Sequence, residues 1–377
     1  MRRKFNYLSA VRVPYLDLKA IHEPLEEELH RCFFEVMDES YFLHGREVTE
    51  FEKAFSEKLD VEYCLGTANC TDSLFIVLKM LGIGDGDEVI VPAMTWITDA
   101  EVVSNLGASP VFVDIDPITY TIDTSKIEAV ITSKTKAIVP VHLYGQMADM
   151  TAICEIAERH GIRVIEDCAQ AHFASQNGKF AGSFGDAAVF SFYPTKNLGA
   201  LGDAGAIVTN DKSLYEACRK MANHGASDKH NHEFPGMNSR MDTLQAAVLL
   251  LKLDYIDQWN EERRKLAAAY TQAVGRINGL ILPQFGGENQ HVFHIFNILT
   301  SKRDELKHFL SQAEIQTQIH YPKALPFTQA YQHLGFQSGD FPEAFRLQNE
   351  GLSLPIYPGM EGEMQEFVIE KVKEFFS

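Results

Sequence analysis

Residues 163–209, RVIEDCAQAHFASQNGKFAGSFGDAAVFSFYPTKNLGALGDAGAIVT, decide how the chain is read. The stretch opens with an apolar, β-branched run ending in an acid pair, Arg163-Val164-Ile165-Glu166-Asp167. This is the pattern of a buried strand that delivers a carboxylate at its C-terminal end. A Gly-punctuated loop leads to a second buried strand at 187–192, which runs into Tyr193-Pro194-Thr195-Lys196-Asn197. Gly185 precedes this turn, and Gly199, Gly202 and Gly205 follow it. A third strand at 205–209 closes the unit. Asp167 and Lys196 therefore stand at the exits of adjacent buried strands in an open α/β sheet, where ligand crevices form.

A lysine in such a place is costly to desolvate unless it is paired or neutralised. Burial lowers its pKa, which is how a protein makes the amine nucleophilic enough for a Schiff base. Pyridoxal phosphate chemistry needs that lysine, and it needs an acid that keeps the pyridine nitrogen protonated. A competing reading has Lys196 snorkelling from a loop and Asp167 capping a helix. That reading covers a lone lysine but not the order Asp167, Ser191, Lys196 across one unit.

Outward from this unit the chain alternates strands and helices. Strands are expected at 88–91, 110–113, 137–141 and 163–166, with helices near 97–106 and 150–160; the pattern is that of a mostly parallel sheet covered on both faces. Residues 1–25 read as an extended arm, and 22–59 carry helical periodicity interrupted near 41–46. The small polar turn Asn69-Cys70-Thr71 opens onto an apolar helix at 74–81 and fits two readings, a phosphate-binding helix N-terminus or a plain cap. Gly82-Ile83-Gly84-Asp85-Gly86 precedes a strand instead of following one, so it is a turn and not a dinucleotide fingerprint. Trp96 lies just past a strand exit, as a core aromatic or as a platform for a flat ring; His142 and Tyr144 sit at another exit.

Past the lysine, a helix is expected at 211–222 and a polar, His-bearing loop at 224–235. A long helix over about 241–259 precedes another at 260–275. From about 280 a strand-like run at 291–299, a helix near 303–313 and a C-terminal amphipathic helix at 361–376 make a smaller α+β lobe. The expected division is a large domain over 1–255 and a small one over 256–377.

Composition excludes several classes. The net charge of −18 speaks against nucleic acid or an anionic membrane as partner. Six scattered cysteines without a CxxC pattern fit a reducing compartment and no structural zinc, and no metal site is expected. No apolar stretch reaches the length of a membrane span, and no signal peptide is evident, which makes the cytoplasm the expected location.

Three blocks in order, Glu166-Asp167-Cys168-Ala169-Gln170, 191–199 (SFYPTKNLG) and Gly236-Met237-Asn238-Ser239-Arg240-Met241-Asp242, make the chain resemble the DegT/DnrJ/StrS-type sugar aminotransferases. The resemblance runs from about Pro14 to the C-terminal helix. It implies the aspartate-aminotransferase fold (fold type I), with a mostly parallel seven-stranded sheet sandwiched by helices. It also implies pyridoxal 5′-phosphate as cofactor, with pyridoxamine 5′-phosphate as the intermediate form.

By the same resemblance Lys196 is the Schiff-base and proton-shuttling residue. Asp167 pairs with the pyridinium nitrogen, Gln170 bonds the ring's phenolic oxygen and Trp96 stacks on the ring. Cys70, Thr71 and Ser191 hold the phosphate, with Asn238 arriving from a second subunit; the implied assembly is a homodimer with shared sites. Arg240, His320, Tyr321 and Lys323 are the candidates for the substrate side, His320 having a structural reading as well. The turn departs from the family's usual Ser-Gly-Thr, since Cys70 takes the glycine position.

The implied reaction moves an amino group from an amino acid, glutamate, to a nucleotide-linked keto-hexose, at C3 in preference to C4, for polysaccharide (lipopolysaccharide or O-antigen) or glycoside biosynthesis. The rivals are a pyridoxamine-phosphate-dependent dehydratase of the same fold, whose members replace the lysine by histidine, a non-catalytic sensor, and an ordinary amino-acid aminotransferase.

Overall fold

The alternation of apolar runs and amphipathic segments resolves into a seven-stranded sheet in the computed structural model, which describes residues 12–228, 230–284 and 289–377. Its strands are β1 (Tyr63–Thr67), β2 (Glu88–Pro92), β3 (Ser109–Val113), β4 (Thr135–Ile138), β5 (Arg163–Asp167), β6 (Ala187–Ser191) and β7 (Gly205–Thr209). They lie in the order β1-β7-β6-β5-β4-β2-β3. Every neighbouring pair is parallel except the two made by β7, which runs against both β1 and β6. The C-terminal ends of the other six strands therefore share one edge.

The central strands are buried on both faces, which is why they read as continuous apolar runs. One apolar cluster fills the side covered by helices Cys70–Met80, Thr98–Asn105 and Lys212–Ala222. Helices Arg46–Leu59, Met150–His160 and Thr243–Leu253 cover a second cluster, in which Phe51, Phe55, Phe190 and Phe192 pack ring against ring. A third gathers around helix Ile256–Val274, the antiparallel pair Phe296–Leu299 and Gly351–Leu354, and helix Gly362–Phe376. Among the described residues no helix is long and apolar enough to cross a membrane.

The clusters do not follow chain order. Leu325, Tyr331, Phe341 and Leu347 pack into the first cluster with the large sheet, and Val13 packs into the third, beside Ile315. Helix Ile256–Val274 serves two cores, giving Ile256 and Trp259 to one and Tyr270 and Val274 to the other.

Several boundaries differ from expectation. The long helix breaks at Asp254-Tyr255 and not near Trp259, at a turn with neither Gly nor Pro to announce it. Residues 224–235 contain a short hairpin, Ala226–Asp228 with Asn231–His232, whose turn is held by the Asp228 carboxylate accepting from the His230 and Asn231 amides. Only Phe296–Leu299 of the 291–299 run is strand; upstream, the Val292 and Ile295 amides donate to Gly145 and Tyr144. The arm is not extended throughout, since Leu18–His22 is a helical turn capped by Asp17. Its residues 1–11 lie outside the described part.

Candidate active site

The shared edge brings together most of the singled-out residues. Asp167 ends β5 and pairs in register with Val189 of β6, two residues before Ser191. Side chains alternate across a strand, so Asp167 and Glu166 point to opposite faces. Asp167 is 6% exposed, and its Oδ1 accepts from the Ala169 amide at 2.8 Å. The chain leaving β6 turns tightly, with the Lys196 amide donating to Tyr193 O. A Cβ on Gly199 would meet Pro194 O at 2.4 Å, so this turn closes only with glycine there.

Among the described residues the Lys196 amine has neither hydrogen bond nor ion pair. Burial lowers its pKa from the ordinary lysine value, against the opposing pull of Asp167 and Cys70. Asn197 fixes the turn beneath it. Its amide donates to Asn260 Oδ1 (2.9 Å) and Val292 O (3.0 Å), and its Oδ1 accepts from His294 Nδ1 (3.0 Å). Asn260 donates in turn to His172 O at 3.0 Å, tying the turn after the lysine to the segment after the aspartate.

Beyond β1, Asn69 caps helix Cys70–Met80 by accepting from the Asp72 amide at 2.8 Å. The helix starts four residues before its apolar run because the cap lies that far upstream. The amides of Cys70 and Thr71 keep no partner among the described residues, so this turn is both a cap and a set of open donors. A Cβ on Gly205 would meet Asn69 C at 2.4 Å, so β7 can pass beneath the turn only as glycine. The Thr71 hydroxyl lies 3.2 Å from that of Thr98, and Ser191 Oγ accepts from the Tyr193 amide.

Trp96, after β2, is 59% exposed and tilts against Tyr321 at 5.4 Å between ring centroids. It is a surface aromatic over the crevice and not a core residue. Gln170 is oriented at both ends: Oε1 accepts from the Tyr144 amide (2.7 Å) and Nε2 donates to the Tyr321 hydroxyl (2.9 Å). Tyr144 also donates to His320 O. His320 Nδ1 lies 2.9 Å from Ser353 Oγ, whose hydroxyl donates to Asn297. That assignment makes Nδ1 the protonated nitrogen and leaves Nε2 as an acceptor. His320, Tyr15, Thr195, Arg263 and His294 border a cavity of about 430 Å³.

Asn238, Arg240 and Lys323 are placed differently. Asn238 and Lys323 are exposed. Arg240 lines a separate cavity of about 400 Å³ with His44, Glu52, Tyr215 and Arg219. Two groups escaped the sequence reading: the Asn197–Asn260–His294 network and Asp99, a fully buried acid in the first turn of helix Thr98–Asn105. Its signal was present, a carboxylate just past a strand exit in an otherwise apolar run.

His142, Glu166 and Cys168 cluster closely enough to suggest a metal. Their ligand atoms are in use, however. His142 Nδ1 accepts from the Ala148 amide, so Nε2–H donates to Glu166 Oε2 at 3.0 Å, and burial holds the Cys168 thiol protonated.

Burial depresses His172 and His291 to about 3 and His320 to about 4. These rings are neutral in the native state, whereas the unfolded chain takes up protons below about 6.5. Their stabilising contribution is complete above that pH and is lost as pH falls toward the folded values. Denaturant titrations at pH 7.0 and 5.5 are expected to show a loss of about 1 kcal/mol per histidine; an unchanged midpoint would contradict this.

Comparison with known proteins agrees with this geometry. A relative named "Pleiotropic regulatory protein" from Geobacillus stearothermophilus is 46% identical over 370 residues, 97% of this chain and 99% of its own. The dTDP-3-amino-3,6-dideoxy-alpha-D-galactopyranose transaminase of Aneurinibacillus thermoaerophilus is 44% identical, covering 96% of this chain and 99% of its own. The crystal structure of S. venezuelae DesV in complex with a ketimine intermediate superposes with a TM-score of 0.95 at 41% identity, over 97% of this chain and 99% of that one. The model of the DegT/DnrJ/EryC1/StrS aminotransferase family matches residues 24–373, and the chain belongs to that family.

Proposed function

We propose that this protein transfers an amino group from L-glutamate to the C3 keto group of a nucleotide-linked hexose, using pyridoxal 5′-phosphate. One observation carries the reading: a desolvated, unpartnered lysine, a buried carboxylate and a helix N-terminus with open amides meet at one sheet edge. These residues fit the cofactor. Lys196 is the amine that links to it, Asp167 holds its ring nitrogen, and Gln170 and Trp96 flank the ring. Cys70, Thr71 and Ser191 take its phosphate. Pyridoxal phosphate, when bound, supplies an electron sink that stabilises charge on the carbon next to the migrating amine.

The chain's own residues do the rest. Lys196 Nζ, whose hold on a proton is weakened by desolvation, takes a proton from the amino acid's α-carbon and returns one on the same face. Asp167 holds its carboxylate fixed at the ring position. Tyr144 and Tyr321 orient Gln170, so its amide needs no rearrangement. His320 Nε2, Tyr321 and Lys323 face the nucleotide sugar, and Arg240, in its separate cavity, reaches it only from a second subunit. A lysine at position 196 supports transamination over dehydration and over a purely regulatory role, the latter raised by the name of the Geobacillus relative.

The active form is a homodimer with shared sites. Phe33, Phe34, Met37, Tyr41, Phe42 and Leu43 are each 42–67% exposed, more contiguous apolar surface than a monomer usually leaves in water. Leu43 bridges to Asp242, and Phe42 O accepts from the Thr243 amide. A second copy seated on this patch meets the segment bearing Asn238 and Arg240. The proposed division is a large domain over 1–255 and a small one over 256–377, and the six free cysteines support a reducing compartment such as the cytoplasm.

The test is spectroscopic. Protein loaded with pyridoxal phosphate is expected to show a visible band that glutamate bleaches and a 3-keto-hexose nucleotide restores; a band indifferent to glutamate and to other amino donors refutes the reading. Mixed dimers of Lys196→Ala and Asn238→Ala chains are expected to regain activity, because one site per heterodimer is then intact. No regain would mean self-contained sites.

A further inference from the structure

Asp99 is a buried carboxyl that the reaction as described leaves unused, and it stands against the acid that the reaction needs. Its Oδ2 accepts from the Thr95 hydroxyl at 3.1 Å, while Oδ1 is enclosed without any donor. The Asp167 carboxylate lies within hydrogen-bonding range of it. Among the described residues, Cys70 from the helix after β1, Cys168 just past β5, Lys196 from the loop after β6 and Tyr321 from the C-terminal lobe are the titratable groups around the pair.

Two carboxylates facing each other in a dry site do not both ionise, since each disfavours the charge of the other. Donors decide where the single proton sits. Asp167 already receives the Ala169 amide at 2.8 Å and stands near Lys196. Asp99 has one neutral hydroxyl and no exposure. Burial and the charge of Asp167 raise its pKa well above the usual carboxylate range.

We propose that Asp99 is a positioning residue: it stays the neutral acid, donates its proton to the Asp167 carboxylate, and thereby fixes the Asp167 oxygen that meets the cofactor's ring nitrogen. The enclosed Oδ1 then becomes a hydroxyl donor, and the one unsatisfied atom of this cluster disappears. The pair carries one negative charge, the amount that one pyridinium neutralises. This inference rests on the assignment of Asp167 to the cofactor.

Two variants test it. Asp99→Asn keeps a donor of the same shape but cannot titrate; Asp99→Ala removes the donor. Infrared spectra of the cofactor-free protein at pH 7 are expected to show a protonated-carboxyl band that is missing from Asp99→Asn. Glu52, raised to about 7 by burial, contributes a band common to both proteins, so the difference spectrum is the measurement. No difference would mean an ionised Asp99 and would overturn the proposal.

In the loaded enzyme, the pH titration of the visible band is expected to agree between wild type and Asp99→Asn within about 0.3 pH unit. Asp99→Ala is expected to bind pyridoxal phosphate about tenfold more weakly. A shift of about one unit in Asp99→Asn would reveal a lost negative charge, and unaltered binding by Asp99→Ala would leave no positioning role; either result refutes the proposal. A wild-type protein that gives no visible band would instead overturn the cofactor assignment, while the infrared difference still decides the proton on Asp99.

Discussion

Lys196→Ala is expected to lower turnover by at least about 10³-fold and to leave the fold intact. The loss follows from removing an amine at the crevice that is desolvated and, among the described residues, without a hydrogen bond or ion pair, the group proposed to carry the proton. The fold survives because the turn does not depend on that side chain. The Lys196 backbone amide donates to Tyr193 O, and Asn197 pins the turn through Asn260, Val292 and His294. Truncating a poorly solvated amine also relieves a cost of burial. Steady-state turnover, the visible spectrum with pyridoxal phosphate and a denaturant midpoint decide the matter together. Turnover near the wild-type rate would remove the central claim, and a collapse of the midpoint would make the residue structural.

Glu166→Ala is expected to have the opposite profile, a large loss of stability from a residue outside the crevice. Glu166 is fully buried. Its Oε2 accepts from His142 Nε2 (3.0 Å) and the Gly182 amide (2.9 Å); Oε1 accepts from the Phe184 and Gly185 amides, both at 2.8 Å. Alanine leaves four donors without an acceptor around a void. Removing one partner of such a buried charged network costs about 3–5 kcal/mol. Glu166→Gln is expected to lose much of the same amount, because either amide orientation sets an NH₂ against N–H donors. A loss below about 1 kcal/mol for the alanine variant would show that the donors find other partners.

The adjacent acids thus have unrelated duties, and the sequence could not divide them. It showed a strand ending in Glu166-Asp167, and strand alternation requires that the two point to opposite faces. Which face holds the crevice depends on β6 lying beside β5 and on the loop 182–185 folding over the other side. Similarly, the Asn69-Cys70-Thr71 turn allowed a cap or a phosphate site from its residues alone. The structure shows the cap, made by the Asn69 side chain, and among the described residues leaves the first two amides open as donors.

What the sequence determined by itself was set by local physics. Strands buried on both faces must be apolar throughout, and amphipathic helices must carry one apolar stripe, so the α/β alternation was legible. Lys196 was legible because an ammonium between two buried strands has no structural justification. Tertiary structure decided the rest, because those contacts join residues far apart in the chain. The Asp99–Asp167 pair joins two strand exits, and the Asn197–Asn260 bond spans 63 residues. The helix break at Asp254-Tyr255 left no mark either, since it is imposed by a helix that must serve two cores. Periodicity records which face a residue shows to the interior; only the packed molecule records what it meets there.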